Sequence, residues 1–378
     1  MSKPKIALVV PDMIETPSGG LGVHAQALYT HLKDEFDFSI QGFPEKNSIP
    51  NYYNIATPYA NIMHPGVQTL ISQHAYTEAI VDAKPDLIHV TDYTLIQGAL
   101  VAARILKKPL IITFQLSSFL LRDIGITHGF SLSNPDGLGI QNAFHAIEVK
   151  GLEEAAHIIH VSHSYKEYYK KVGDFDAKSS YIPNGIETQE WNTKQKIKLP
   201  GDRPKKVVFL GRFVSQKNII ELIHTNIPQN IDLILYGLTQ GCDPKLLEYI
   251  KELTKTKPGF HLCEPVYGQE KINTLYSADA VILPSIHECH PIIMHEALIS
   301  ESIFIGSDVG DIPFVIPESI RIRTGLHRSE IESALYIFDS MSQTEINQRT
   351  NAGLELVKDY TWQNTSTKVA EVYRKFLN

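Results

Sequence analysis

The feature that most constrains this chain is an alternation of short apolar, β-rich runs with segments of helical period, which occurs in two series. In the first series Lys5 to Val10, Asp86 to Val90, Pro109 to Phe114 and His157 to Val161 read as strands. Helical segments lie between or around them at Val23 to Leu32, Val67 to about Ala83, Leu95 to Leu106, and in a stretch carrying Glu148 and Glu153. The second series has Val207 to Gly211, Leu233 to Gly237, a strand near Phe260 and Val281 to Leu283, with helices from Asn218, Lys245 and Lys271. Strands alternating with helices at this spacing imply parallel, doubly wound sheets. The fold class is therefore α/β. A polar stretch from Thr188 to Lys205 separates the series and is the best linker candidate, and 378 residues suffice for two domains.

Composition narrows the function. A formal net charge of -7 without long blocks of like charge argues against a nucleic-acid partner. No run approaches the roughly 20 apolar residues of a membrane span, and the apolar run at the amino terminus is too short for a signal sequence. Cys242, Cys263 and Cys289 are odd in number and widely spaced, so neither a disulfide framework nor a zinc site is evident. A cytoplasmic location is the simplest expectation.

Chemistry concentrates between Ala278 and Gly310, ADAVILPSIHECHPIIMHEALISESIFIGSDVG. The run at Val281 to Leu283 closes at Pro284 and suits a strand buried on both faces. A loop follows, and Pro291 sits where a helix to about Ser300 can start. Glu288 then lies on the loop at a strand's carboxyl end and Glu296 lies within the next helix, both able to face the crevice where open α/β sheets bind ligands. Two acids eight residues apart also suit an ordinary solvated helix start. Two more loops are candidates. Gly19, Gly20 and Gly22 follow the first strand and let the backbone approach a ligand, although a structural turn reads as well. Gly211, Arg212 and Lys217 follow the first strand of the second series, where two cations can meet a diphosphate or simply face solvent.

Together these segments resemble the retaining glycosyltransferases of family 4, the glycogen synthase-like group 1 enzymes. LPSIHE, CHPIIMH and EAL follow that family's Glu-x7-Glu segment, and Gly-Arg-x4-Lys follows its diphosphate motif. The resemblance implies a GT-B fold, with two Rossmann-like domains facing each other across a cleft. It places an acceptor-side domain at 1–196, a nucleotide-sugar domain at 205–361, and a terminal helix at 362–378 that crosses back to the first domain. It also implies Gly19, Gly20, Gly211, Arg212, Lys217, Glu288, Cys289, His290, Ile292 and Glu296 as donor-binding residues, with Arg212, Lys217 and Glu288 in the catalytic role.

Other segments match with departures. HVTD, His89 to Asp92, is similar to the family's His-x-His-Asp. Gln115 stands where many members have a histidine near the transferred sugar. YIPNGIE contains Asn184 in a Pro-Asn-Gly turn. His89, Asp92, Gln115 and Asn184 are accordingly candidates for sugar or acceptor contacts. SDVGDIP carries Asp311 where the family has a second glycine, and Glu301 or Ser302 replaces a glycine before the next strand. The long segment from Leu116 to Ile140 is read as an acceptor-side loop or a surface excursion.

The activity implied is transfer of a hexose-type sugar, UDP-sugar favoured, to a hydroxyl of a glycan or small acceptor. No cofactor or metal is needed, and His287, His290 and His295 with Cys289 lack a recognised zinc spacing. The competing readings are a glycoside hydrolase, which would have no use for a diphosphate site, a non-hydrolysing sugar-nucleotide epimerase, and an inactive nucleotide-sugar-binding subunit. No strong membrane signal is present.

Overall fold

Thirteen short strands, most of them rich in Val, Ile, Leu or Phe, sort into two parallel sheets in the computed structural model, which describes residues 3–12, 14–15, 19–43, 48–55, 71–118, 135–238 and 244–377, the side chains of 135–141 and 238 excepted. The chain divides into two compact units, residues 1–184 with 362–378, and residues 185–361.

The first unit holds β1 (Lys5–Val9), β2 (Asp37–Gly42), β3 (Tyr52–Asn54), β4 (Leu87–Val90), β5 (Leu110–Phe114), β6 (His157–His160) and β7 (Ser179–Tyr181). Their order is β3-β2-β1-β4-β5-β6-β7, every pairing parallel. Ile6, Leu8, Ile40, Leu87 and Ile111 pack with the helix Gly20–Leu32 and with Val369, Val372 and Tyr373 of the helix Trp362–Leu377. Phe376 and Leu377 of the same helix are partly buried and pack against this core.

The second unit holds β8 (Lys205–Arg212), β9 (Ile231–Leu238), β10 (Phe260–Cys263), β11 (Ala280–Leu283), β12 (Ile303–Ser307) and β13 (Ile322–Thr324), ordered β10-β9-β8-β11-β12-β13 and again parallel. Its strands bury both faces, and the alternation is visible residue by residue. Val207, Phe209 and Ile282 enter one core, while Val208, Val281 and Leu283 enter the other.

Several boundaries differ from expectation. The first helix starts at Gly20 rather than Val23, so the glycines form its opening turn. The helix expected from Val67 is described as Gln73–Ala83, with 67–70 outside the described residues. The expected loop from Leu116 to Ile140 falls mostly outside them, and 135–140 already belong to the helix Pro135–Glu154. The polar stretch after Thr188 is tied down rather than free: Lys194 pairs with Glu301, and the backbone N–H groups of Gln195 and Ile197 donate to Asn273 and Ser277. That stretch lies in the second unit.

Candidate functional site

In the second sheet β8 neighbours both β9 and β11, so the strand order reverses between β8 and β11. Parallel strands release their following loops at one edge, and a crevice opens where the order reverses. The segment after β8 and the segment after β11 therefore emerge side by side. Arg212 ends β8 and is exposed. A short 3₁₀ turn, Ser215–Lys217, follows it. Asn218 then adopts a left-handed conformation, its side chain donating to the carbonyl of Leu326, before the helix Ile219–His224 begins.

Across the reversal, Lys217 Nζ lies 2.5 Å from Glu288 Oε1. Ser285 Oγ donates to the same oxygen at 2.6 Å. The side chains of Lys217 and Glu288 are only 15% and 7% exposed, so bulk solvent screens the pair weakly. Gln216 ties the two loops together: its side chain donates to the carbonyl of His287, and its own carbonyl accepts from the N–H of Ile286. Burial drives His287 down to about 4, with Glu288 opposing it, so the ring is neutral near pH 7.

The helix Ile292–Ile299 begins one residue later than expected, because Pro291 takes an extended conformation and stands just outside it. Ile292 opens the helix half-buried. Glu296, on its second turn, accepts from Lys271 Nζ at 2.5 Å, and the carboxylate holds that lysine above its ordinary range. A second set of contacts lies behind the Glu288 loop. The N–H of Asp311 donates to the carbonyl of Cys289 at 2.8 Å. His290 Nδ1 lies 3.0 Å from Asp311 Oδ2, and His290 Nε2 lies 2.8 Å from His295 Nε2.

Gly310 makes this approach possible. Its φ is +56, and a Cβ there would stand 2.3 Å from the carbonyl oxygen of Glu288. The fold makes no such demand of Gly19 or Gly211, where an added Cβ would meet nothing within 4 Å and nothing closer than 3.5 Å respectively. Among the described residues no group of three or more His, Cys, Asp or Glu side chains is arranged to hold a metal ion. No helix among them is long and apolar enough to cross a membrane.

Two family models match successive stretches of the chain, Glycosyltransferase Family 4 over residues 18–190 and Glycosyl transferases group 1 over residues 190–327. The chain belongs to the GT-B group 1 glycosyltransferases. TuaC of Bacillus subtilis, named for teichuronic acid biosynthesis glycosyltransfer, is 26% identical over 279 residues, 71% of this chain and 63% of that protein's length. Sucrose-phosphate synthase of Thermosynechococcus elongatus superposes with a TM-score of 0.80 at 18% identity over 99% of both chains. The Anabaena protein Alr3699/HepE, solved in complex with UDP and glucose, superposes with a TM-score of 0.73 at 12% identity over 98% of this chain and 99% of its own. At these identities the superpositions speak for the GT-B fold.

The first unit of this glycosyltransferase is built differently. Gly19 is extended at the amino end of the helix Gly20–Leu32, and the N–H of Gly22 donates to Asp12. His24 on that helix bonds Asn184 Oδ1 through Nδ1 at 2.9 Å, which occupies one of the expected contact residues. Burial lowers His24 to about 4. His89 corrects an expectation. It lies within β4, fully buried, with Nδ1 on the Tyr373 hydroxyl at 2.6 Å and Nε2 on Thr113 Oγ1 at 2.7 Å, so both ring nitrogens are already used. Asp92 and Gln115 lie past the ends of β4 and β5. Asp92 Oδ1 accepts from the N–H and hydroxyl of Thr94, capping the short turn Tyr93–Leu95. Asp92 Oδ2 and Gln115 Nε2 are buried without a partner among the described residues. Such atoms are costly unless something else meets them. Burial raises Asp92 to about 6.

Lys271, Ser285, Gln216 and His24 were not among the expected residues. Ser285 had a signal in the Pro-Ser pair that closes β11. Lys271 had none, since only the sheet's winding brings it to Glu296.

Proposed function

We propose that this glycosyltransferase is a retaining hexosyltransferase that takes its sugar from a nucleotide diphosphate sugar, UDP-sugar first, and delivers it to a hydroxyl of a glycan or other small acceptor. The observation that supports this most is the Lys217–Glu288 pair where β8 and β11 part, with exposed Arg212 at the end of β8. A departing nucleoside diphosphate accumulates negative charge, and preorganised cations beside it lower the barrier. Lys217 is already held by Glu288, which Ser285 holds in turn, while exposed Arg212 can close on the diphosphate with paired N–H groups. These cations supply the charge that a divalent ion would otherwise bring. Glu288 accepts from a sugar hydroxyl and orients the ring, and Glu296 accepts from the ribose hydroxyls beside Lys271.

In the retaining step the acceptor oxygen bonds to the anomeric carbon on the face from which the phosphate oxygen leaves. The leaving phosphate takes the acceptor's proton, so Glu288 is not the base. The UDP and glucose in the Anabaena relative's complex support UDP-glucose as the first donor to try.

Thermal unfolding with UDP, ADP, GDP and their glucose conjugates, with and without EDTA, tests this. A ligand at 100 times its dissociation constant adds about 2.7 kcal/mol to the native state. Arg212→Ala and Lys217→Ala each weaken diphosphate binding by roughly 10- to 100-fold. Unchanged affinity in both variants removes the site from this assignment, and a shift abolished by EDTA removes the metal-free part alone. Binding without turnover across acceptors would favour the non-catalytic alternative, to which Gln115 lends weight.

A further inference from the structure

Behind Glu288 lies a buried polar chain that includes His290, expected at the donor site, whose ring nitrogens instead face Asp311 and His295. Asp311 and His290 have fully buried side chains 3.0 Å apart. His290 passes the contact on to His295, also fully buried, through Nε2 atoms 2.8 Å apart. Tyr360 stacks on His295 with ring centroids 4.7 Å apart. Burial, with His290 adding to it, holds the His295 ring well below its ordinary range, so that ring stays neutral. A carboxylate and two imidazoles in a dry interior are a poor way to fill space, because apolar residues of similar volume often stabilise as well or better.

What the chain connects is specific. Asp311 follows the left-handed Gly310, whose missing Cβ lets the turn press on the Glu288 and Cys289 carbonyls. From there Asp311 grips the loop twice, by its N–H on Cys289 and by its carboxylate on His290. His290 is two residues from Glu288 and directly precedes Pro291, where the helix Ile292–Ile299 starts. His295 lies inside that helix, next to Glu296. The chain thus fastens the Glu288 loop, the helix's amino end and the Gly310 turn at one point. A glycine at position 311 could not make the side-chain contact.

We propose that Asp311, His290 and His295 form a positioning strut that sets the pose of Glu288, and with it the affinity for the sugar end of the donor. This rests on the donor reading above. Since displacement of a contacting group by about 1 Å can cost on the order of 100-fold, Asp311→Ala should weaken binding of the glucose conjugate by roughly 10- to 100-fold. Asp311→Asn keeps an acceptor for His290 Nδ1–H and should recover most of that loss.

The deciding measurement is a double-mutant cycle by titration calorimetry, using whichever of UDP-, ADP- or GDP-glucose stabilises the wild-type protein. Combined with Glu288→Ala, Asp311→Ala should cost no more than about threefold further, because its effect runs through Glu288. Equal losses in both backgrounds, or no rescue by Asn, would overturn the strut and leave a packing role. If Asp311→Ala does not unfold cooperatively, His290→Gln takes its place in the same cycle. Lys217→Ala separates the two failures. A normal loss there with an additive Asp311 effect sinks only the strut, whereas no loss there sinks the donor site beneath it.

Discussion

The two units carry the same winding, yet the carboxyl ends of their sheets are chemically opposite. Around β8 and β11 the buried acids meet lysines, Glu288 with Lys217 and Glu296 with Lys271. Within β4, past the ends of β4 and β5, and on the first helix of that unit, the groups are neutral or half-satisfied: His24 and His89 with lowered pKa, Asp92 raised, and Gln115 with its amide nitrogen unpartnered among the described residues. The winding supplies a crevice in both, and the side chains decide what each can hold. Ion pairs suit a charged diphosphate, which can exchange places with one partner. Neutral donors and acceptors suit hydroxyls, which bring no charge to balance.

The comparison breaks most severely at Gly310. Replacing it by Ala puts a Cβ against the Glu288 and Cys289 carbonyls in a left-handed backbone. We expect a loss of roughly 3 kcal/mol or more, together with loss of diphosphate binding. Hydrogen exchange should locate it, with protection falling in residues 280–315 while the amides of β1, β4 and β5 keep wild-type rates. Wild-type binding in Gly310→Ala would show that the Glu288 loop is not held by this turn.

Titration sharpens the contrast next. In the first unit Glu148 is fully buried and accepts from the Ser118 N–H and hydroxyl and from the Tyr169 hydroxyl, and burial raises it to about 7. A carboxyl whose folded pKa lies above its unfolded value near 4.5 favours the protonated native state. Its contribution is therefore lost as pH rises between about 4.5 and 7, by up to roughly 3 kcal/mol. His24 and His89, lowered to about 4 and about 3, act in the other direction and cost stability as pH falls below 6.5. Urea unfolding at pH 5 and pH 8 isolates Glu148, because the other groups cancel in the difference from Glu148→Gln. The variant should gain on the wild type as pH rises, and a pH-independent difference would show that Glu148 ionises freely in the native chain.

Much of this was legible in the sequence, and the rest was hidden for physical reasons. Long apolar strands such as β8, β9 and β11 announce themselves because both faces are buried. β2, DFSIQG, does not: Ser39 and Gln41 are buried with Phe38 and Ile40, and Gln41 Nε2 donates to Ser39 while its Oε1 has no partner among the described residues, so the polar half of the strand makes the pattern look like a loop. Lys217 and Glu288 were legible because each follows an identifiable strand. His89 misled because its motif sits on the strand itself, where a histidine can serve the core as readily as a ligand. Lys271 precedes Glu296 by 25 residues and meets it only through the sheet's winding.

The smallest test concerns helix ends, where the units agree rather than differ. Lys84 and Lys107 in the first unit, and Glu301 in the second, occupy left-handed conformations with φ of 49, 54 and 61. At position 301, one of the two where the family resemblance implies a glycine, the left-handed conformation costs a side chain about 1 kcal/mol. Glycine removes that strain but frees the unfolded chain by about 0.4 to 1 kcal/mol, so Lys84→Gly and Lys107→Gly should leave stability within about 0.5 kcal/mol of wild type. Glu301→Gly also loses the 2.6 Å contact with Lys194. The Glu301 side chain is 42% exposed, so that pair contributes little, and the three urea midpoints should nearly coincide. A loss above about 1 kcal/mol confined to Glu301→Gly would mean that the Lys194 contact holds the 194–199 segment against the rest of the second unit, and that this helix end has a structural role its counterparts in the first unit do not.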